Sequence, residues 1–171
     1  MNDFNKRYLD FCKPFLDAIQ EVYSTMMSTE IRPQKPNFKE GKKSYGDISA
    51  IMGINGKYEG PGINKKFKGS LVLSWPEDCY LKSAGAMLME EFTEFTDEIS
   101  DVGMEVANIT MGNAKKILCE QGYLIEMSIP TSVSGKGHEI KAQEKVVTIT
   151  TPLESDFGTF YIELSYEDYE D

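Results

Sequence analysis

Two side chains three residues apart, Glu105 and Asn108, have the types and spacing that could do chemistry in this chain. They lie within Asp101-Val-Gly-Met-Glu-Val-Ala-Asn-Ile-Thr-Met-Gly-Asn-Ala-Lys115. A neutral amide both donates and accepts hydrogen bonds, so Asn108 can orient a water, but it cannot act as a base. A carboxylate is suited to holding a cation, so Glu105 reads as the group that fixes a partner's position. In a helix, residues three apart are surface neighbours with Cβ atoms roughly 5–6 Å apart. The same spacing also describes the ordinary polar face of an amphipathic helix, and spacing alone leaves both readings open.

Positioning such a pair needs a helix with one dry side. At 100° per residue, Ile99, Val102, Val106, Ile109, Ala114 and Ile117 gather on one side of the wheel. Asp101, Glu105, Asn108, Gly112 and Lys115 gather on the other. Met104 and Met111 fall at the border of the wet side, where an adaptable thioether suits either recognition or partial packing into the core. Gly112 offers no side chain, so a partner's backbone can approach one turn below Asn108. Glycine costs about 1 kcal/mol against alanine inside a helix, so Gly103 and Gly112 both want an explanation. Thr96-Asp-Glu opens this helix, and it runs to about Glu120.

The rest of the chain supplies a frame. Residues 3–28 read as a helix in which Pro14 marks a start or kink. Residues 32–45 read as a polar connector, 46–58 and 66–75 as strands around a turn at 60–62, and Pro76 to Met89 as a helix. Strands near 122–134, 143–154 and 157–167 finish the chain; in the last, Phe160, Ile162, Leu164 and Tyr166 alternate with half-polar neighbours. Strands joined by short turns pair antiparallel, so the expected class is α+β, a mostly antiparallel sheet packed with long helices. A length of 171 residues suits one domain, expected to span 1–171.

The Asp-x-x-x-Glu-x-x-Asn spacing at 101–108, followed by Met111-Gly-Asn-Ala, resembles the helix signature of the chemotaxis phosphatases of the CheC/CheX/FliY family. Gly46-Asp-Ile-Ser-Ala-Ile-Met-Gly, Gly69-Ser-Leu-Val-Leu-Ser-Trp-Pro, Ser128-Ile-Pro-Thr, Gly135-Lys-Gly-His-Glu and Phe157-Gly-Thr-Phe-Tyr-Ile-Glu-Leu fit it in the same order. The single Glu-x-x-Asn pair is similar to the CheX branch. The resemblance implies a CheC-like fold and a phosphatase acting on the phospho-aspartate of a CheY-like chemotaxis response regulator. It implies Glu105 and Asn108 as the catalytic pair; Asp101, which matches a family position, and Met104, Met111 and Gly112, which flank the pair on the wheel, are the candidate contacts to the regulator. Phosphoryl transfer needs an in-line water and neutralised charge, with little covalent work by the protein. Asn108 then positions the water. A carboxylate facing the phosphoryl group would be repelled, so Glu105 pairs with a cation on the receiver, which the resemblance implies to be a lysine of its active site. The chain is expected to have no cofactor of its own, with Mg2+ in the receiver, and to form a homodimer joined through its sheets. The rival readings are a receiver-binding module without catalysis and an interaction protein of the flagellar switch.

Composition narrows the partners. Eighteen Lys and Arg against 28 Asp and Glu give a net charge of −10, which repels nucleic acid and anionic membranes. Cys12, Cys79 and Cys119 are too scattered to make a metal site with the single histidine, and read as reduced thiols. The N-terminus lacks a signal-peptide core and no apolar run approaches the roughly 20 residues that span a bilayer, so the expected location is cytoplasmic. A lone His also excludes a Ser-His-Asp design, since no partners for it stand out. Gly135-Lys-Gly-His and Gly41-Lys-Lys-Ser lack the spacing of a phosphate loop and read as turns. Lys65, Lys66 and Lys68 read as a solvated hairpin, Trp75 as a strand-end core residue, and Tyr166-Glu-Asp-Tyr-Glu-Asp171 as a solvated tail.

Overall fold

The structure is a computed structural model and describes residues 3–41, 43–140 and 146–169. Its centre is a hairpin of two long strands, β3 (Ile48–Gly60) and β4 (Ile63–Trp75), paired along their whole length. The turn falls at Pro61-Gly62, where Gly62 takes a φ of 74° that disfavours a side chain. β8 (Gly158–Tyr169) pairs with β4, and β7 (Thr148–Ser155) pairs with β8. On the other side, β5 (Tyr123–Met127) and β6 (Thr131–Ser134) both pair with β3. Two-residue strands β1 (Arg32–Pro33) and β2 (Asn37–Phe38) add to β7. All these pairings are antiparallel, in the order β1-β7-β8-β4-β3-β5. With the helices, this is the expected α+β architecture, a mostly antiparallel sheet packed with long helices.

Strand alternation sends one set of side chains to the helices. Met52, Ile54, Phe67, Leu71, Leu73, Ile162 and Leu164 are all buried there. Helix α1 (Asp3–Met26) lays Phe11 against Phe67, Tyr123 and Tyr166, with ring centroids 4.9–5.7 Å apart. Pro14 does not start α1, which runs continuously past it. Helix α2 (Glu77–Leu88) follows Pro76, whose fixed φ of −58° suits a helix entrance, with Glu77 and Asp78 in the first turn. Helix α3 (Asp97–Glu120) then crosses beside α1 over β3, β4, β5 and β6. Trp75 is 1% exposed and its indole N–H donates to the Tyr23 hydroxyl at 2.9 Å, as a strand-end core residue should.

Three expectations need correcting. The strand foreseen over 122–134 is broken at 128–130: Pro130 has no N–H to pair, and Ser128 Oγ accepts the Gly53 amide at 2.7 Å in a local detour. The connector at 32–45 contains β1 and β2, held by backbone bonds such as Gln34 N–H to Pro152 O at 2.8 Å and Lys39 N–H to Thr148 O at 2.9 Å. The tail does not begin at Tyr166. That ring is buried, and β8 continues to Tyr169 with Asp168 in an ion pair with Arg7. Residues 170 and 171 lie outside the described set.

Candidate functional site

Helix α3 carries the two candidate side chains on its open face. Asp101, Glu105 and Asn108 are exposed, while Val102, Val106, Ala107, Thr110, Ala114 and Leu118 are buried beneath them. The buried polar group in that stripe is satisfied: Thr110 Oγ1 donates to the Val106 carbonyl at 2.7 Å. Met104 and Gly112 are half-buried at the margin. Met111 is a correction. It is 0% exposed and belongs to the core, so it is not a surface contact. The wheel has two dry flanks, because α3 packs on α1 as well as on the sheet, and the second flank takes Met111.

The two helical glycines have different reasons. A Cβ on Gly103 would stand 2.9 Å from Tyr80 Cε2 and 3.2 Å from Trp75 Cζ3, so glycine lets α3 press onto these rings. At Gly112 a Cβ would meet nothing within 4 Å. The surface beside Asn108 is therefore open to an approaching molecule, as its sequence position suggested.

Tyr80 of α2 is the positioning residue that sequence reasoning missed. Its hydroxyl donates to the carbonyls of Ile99 at 2.5 Å and Ser100 at 3.1 Å, and accepts the Gly103 amide at 2.9 Å. Three backbone groups at the start of α3 are thus tied to one buried side chain. Burial pushes the phenol up to about 12, so the hydroxyl stays neutral in the physiological range. The Tyr80 ring also packs edge-on against Trp75 at 5.3 Å and Phe95 at 5.5 Å. This clamp lies just before Glu105 and sets the direction in which the pair projects. An aromatic in the middle of α2 carried no local signal for it, because the contact is tertiary.

The pair stands on a convex helix face. A groove of about 680 Å³ lies elsewhere, on the sheet face turned away from the helices, lined in part by Ile51, Val72, Lys39 and Glu163. The other sequence candidates are not brought to α3's open face, apart from Cys119. His138 sits in a turn, with Nδ1 2.8 Å from the Gly135 carbonyl oxygen and Nε2 2.7 Å from the buried Ser49 hydroxyl. Lys68 pairs with Glu167 at 3.7 Å and lies over the Tyr169 ring. Cys12 and Cys79 are buried, which raises their thiols to about 12 and about 11, while Cys119 is exposed. Among the described residues no three His, Cys, Asp or Glu side chains cluster as a metal site, and no helix is long and apolar enough to cross a membrane.

Comparison with known proteins agrees with this geometry. Residues 48–154 match the family model of the chemotaxis phosphatase CheX. The chain is 36% identical to a CheC-like superfamily protein from Shewanella sp. PV-4, covering 98% of this chain and 99% of that one, with a TM-score of 0.79. It is 33% identical to the chemotaxis protein CheX from Vibrio vulnificus, over 92% and 99% of the two chains, with a TM-score of 0.79. It also resembles, at 26% identity over 94% and 98% and a TM-score of 0.72, a chain of the CheX–CheY–BeF3–Mg2+ complex from Borrelia burgdorferi. None of the curated proteins matches. By fold, by the residues on its helix face and by these matches, the chain belongs to the chemotaxis phosphatase CheX family.

Proposed function

We propose that this protein hydrolyses the phospho-aspartate of a CheY-like response regulator, with α3 completing the regulator's active site from outside. The observation that carries the reading is the exposed Glu105–Asn108 pair beside the open Gly112 surface, on a helix whose other sides are packed. A convex face suits a substrate that brings its own pocket. The Borrelia relative, in complex with CheY, BeF3 and Mg2+, supports a receiver as that substrate.

The roles follow from the side-chain chemistry. Asn108 reaches into the receiver, donates through its amide N–H and accepts through its carbonyl, and so holds a water in line with the phosphorus–oxygen bond to be broken. Glu105, one helical turn away, bonds to a receiver lysine and fixes the register of Asn108. Magnesium is the receiver's: it neutralises charge on the phosphoryl oxygens, and α3 provides no ligand cluster to compete for it. Asp101, one turn before Glu105, adds negative charge on the side that faces the receiver lysine. The protein acts in the cytoplasm as a homodimer joined through its sheets.

The test mixes the purified chain with phosphorylated CheY-like receivers and Mg2+ and times phosphate loss. Catalytic amounts should accelerate loss well beyond the receiver's own rate. A chain that binds receivers yet leaves that rate unchanged is a binding module and not an enzyme.

A further inference from the structure

The sheet face turned away from the helices carries a trench whose floor is set by strand register. Gly53 lies opposite Ser70, Ser70 opposite Ser165, and Ser165 opposite Thr148, so four small residues cross β3, β4, β8 and β7 in one row. The row on one side of it is Ile51, Val72 and Glu163, and Asn55 and Lys68 stand on the other. Alternate residues of a strand share a face and sit about 7 Å apart, so a row of small residues between rows of larger ones leaves a depression. This is the groove of about 680 Å³, within the size range of small-molecule sites. Phe38 and Val147 line it too, and they are 70% and 45% exposed. The Ser165 hydroxyl lies 3.2 Å from that of Ser70 and 2.8 Å from that of Thr148, so the hydroxyls of the floor bond to one another.

Glu163, in the wall of this groove, is not fully satisfied. It is 2% exposed, its Oε2 accepts from Lys39 Nζ at 2.9 Å, and among the described residues its buried Oε1 has no hydrogen-bond partner. Lys39 lines the groove as well. Its ammonium has three N–H groups, of which one goes to Glu163, and it lies 5.9 Å from the Tyr45 ring centroid. A buried acceptor without a donor costs stability, and a molecule that donates to it recovers that cost. We infer that the groove binds a small, neutral, largely apolar molecule with a cis-amide edge, its C=O and N–H side by side, as in lactams and cyclic dipeptides. The ligand N–H donates to Glu163 Oε1 while the ligand carbonyl accepts from Lys39. The pair selects against charge, because Lys39 repels an amine and Glu163 repels a carboxylate. The apolar body lies on Ile51 and Val72 between Phe38 and Val147. Helix α3 packs on the opposite side of the sheet, so a ligand here leaves Glu105 and Asn108 uncovered.

The probe is cyclo(Leu-Phe), a cyclic dipeptide with two cis-amide edges and an apolar body, titrated into the full chain by calorimetry. It should bind saturably at one site per chain. Its N,N′-dimethyl derivative keeps the apolar body and loses both N–H donors, and should bind about tenfold or more weakly. Lys39→Met/Glu163→Leu removes both polar partners and should weaken cyclo(Leu-Phe) by a similar factor. Ser70→Leu fills the floor of the trench and should also weaken it about tenfold or more, by steric exclusion. Melting curves for both variants establish that they are folded, and the double variant alone carries the test if Ser70→Leu is not. Absence of saturable binding up to the solubility limit of cyclo(Leu-Phe) overturns the site. So does binding that N-methylation leaves intact, or that the folded double variant retains at full strength.

Discussion

Replacing Gly103 and Gly112 by alanine, one at a time, should move stability in opposite directions although both sit inside one helix. The intrinsic gain is the same at each, about 1 kcal/mol for alanine over glycine. At Gly112 the new methyl meets nothing within 4 Å, so the gain stands alone. For a chain of this size it should raise Tm by roughly 2–4 °C. At Gly103 the methyl would lie 2.9 Å from Tyr80 Cε2, 3.2 Å from Tyr80 Oη and 3.2 Å from Trp75 Cζ3. Neither ring can swing away freely. The Tyr80 hydroxyl holds three backbone groups, and the Trp75 N–H donates to Tyr23. Overpacking of this kind costs about 1–3 kcal/mol, which offsets the propensity gain and leaves a net loss of up to about 2 kcal/mol. Tm should then fall by up to roughly 8 °C. Thermal melts followed by circular dichroism or calorimetry read both changes. An equal rise in the two variants would mean that α3 does not press on the Tyr80 clamp, and a fall in Gly112→Ala would mean that its face is covered.

Tyr80→Phe removes one hydroxyl and strands its backbone partners, so it should cost about 1–3 kcal/mol and lower turnover through a loosened start of α3, measured by urea unfolding and phosphate release. Burial, opposed by the Lys39 ammonium at 2.9 Å, holds the Glu163 carboxyl above its ordinary range. The folded chain thus binds that proton more tightly than the unfolded one, and the contribution of Glu163 is fully present below its ordinary value and lost as pH rises through the folded value. Lys39→Met/Glu163→Leu should remove this pH dependence and leave stability at neutral pH unchanged or higher by about 1–4 kcal/mol, read from urea midpoints between acid and neutral pH. Light scattering should give twice the 19.3 kDa chain mass if the protein is the proposed homodimer, and a strictly monomeric chain would remove that part of the account.

What could be read in advance was whatever a single element encodes by itself. The 3.6-residue stripe from Ile99 to Ile117 gave α3 its position and its wet side, and Asp101, Glu105 and Asn108 are exposed there. The strict alternation of Phe160, Ile162, Leu164 and Tyr166 likewise gave β8 its buried face. What could not be read depends on neighbours. Met111 looked marginal on a wheel with one dry side, but α1 supplies a second. β1 and β2 are exposed pieces held by main-chain bonds to β7, so side-chain pattern carries no trace of them. The acidic run after Tyr166 looked solvated, yet Arg7 from the other end of the chain pairs with Asp168 and keeps it in the sheet. The Tyr80 clamp joins residues twenty or so positions apart, beyond the reach of any local signal.

The central claim is that Asn108 holds the attacking water. It is tested most directly by kcat for Asn108→Ala at saturating phosphorylated receiver, with binding of the BeF3-loaded receiver measured on the same sample. The account predicts a loss in kcat on the order of 10²-fold or more, by analogy with removing a single preorganised group from other active sites. Affinity should stay close to the parent chain's, and Tm should not fall, because the side chain is exposed. Near-normal kcat in a variant that still binds the receiver would contradict it.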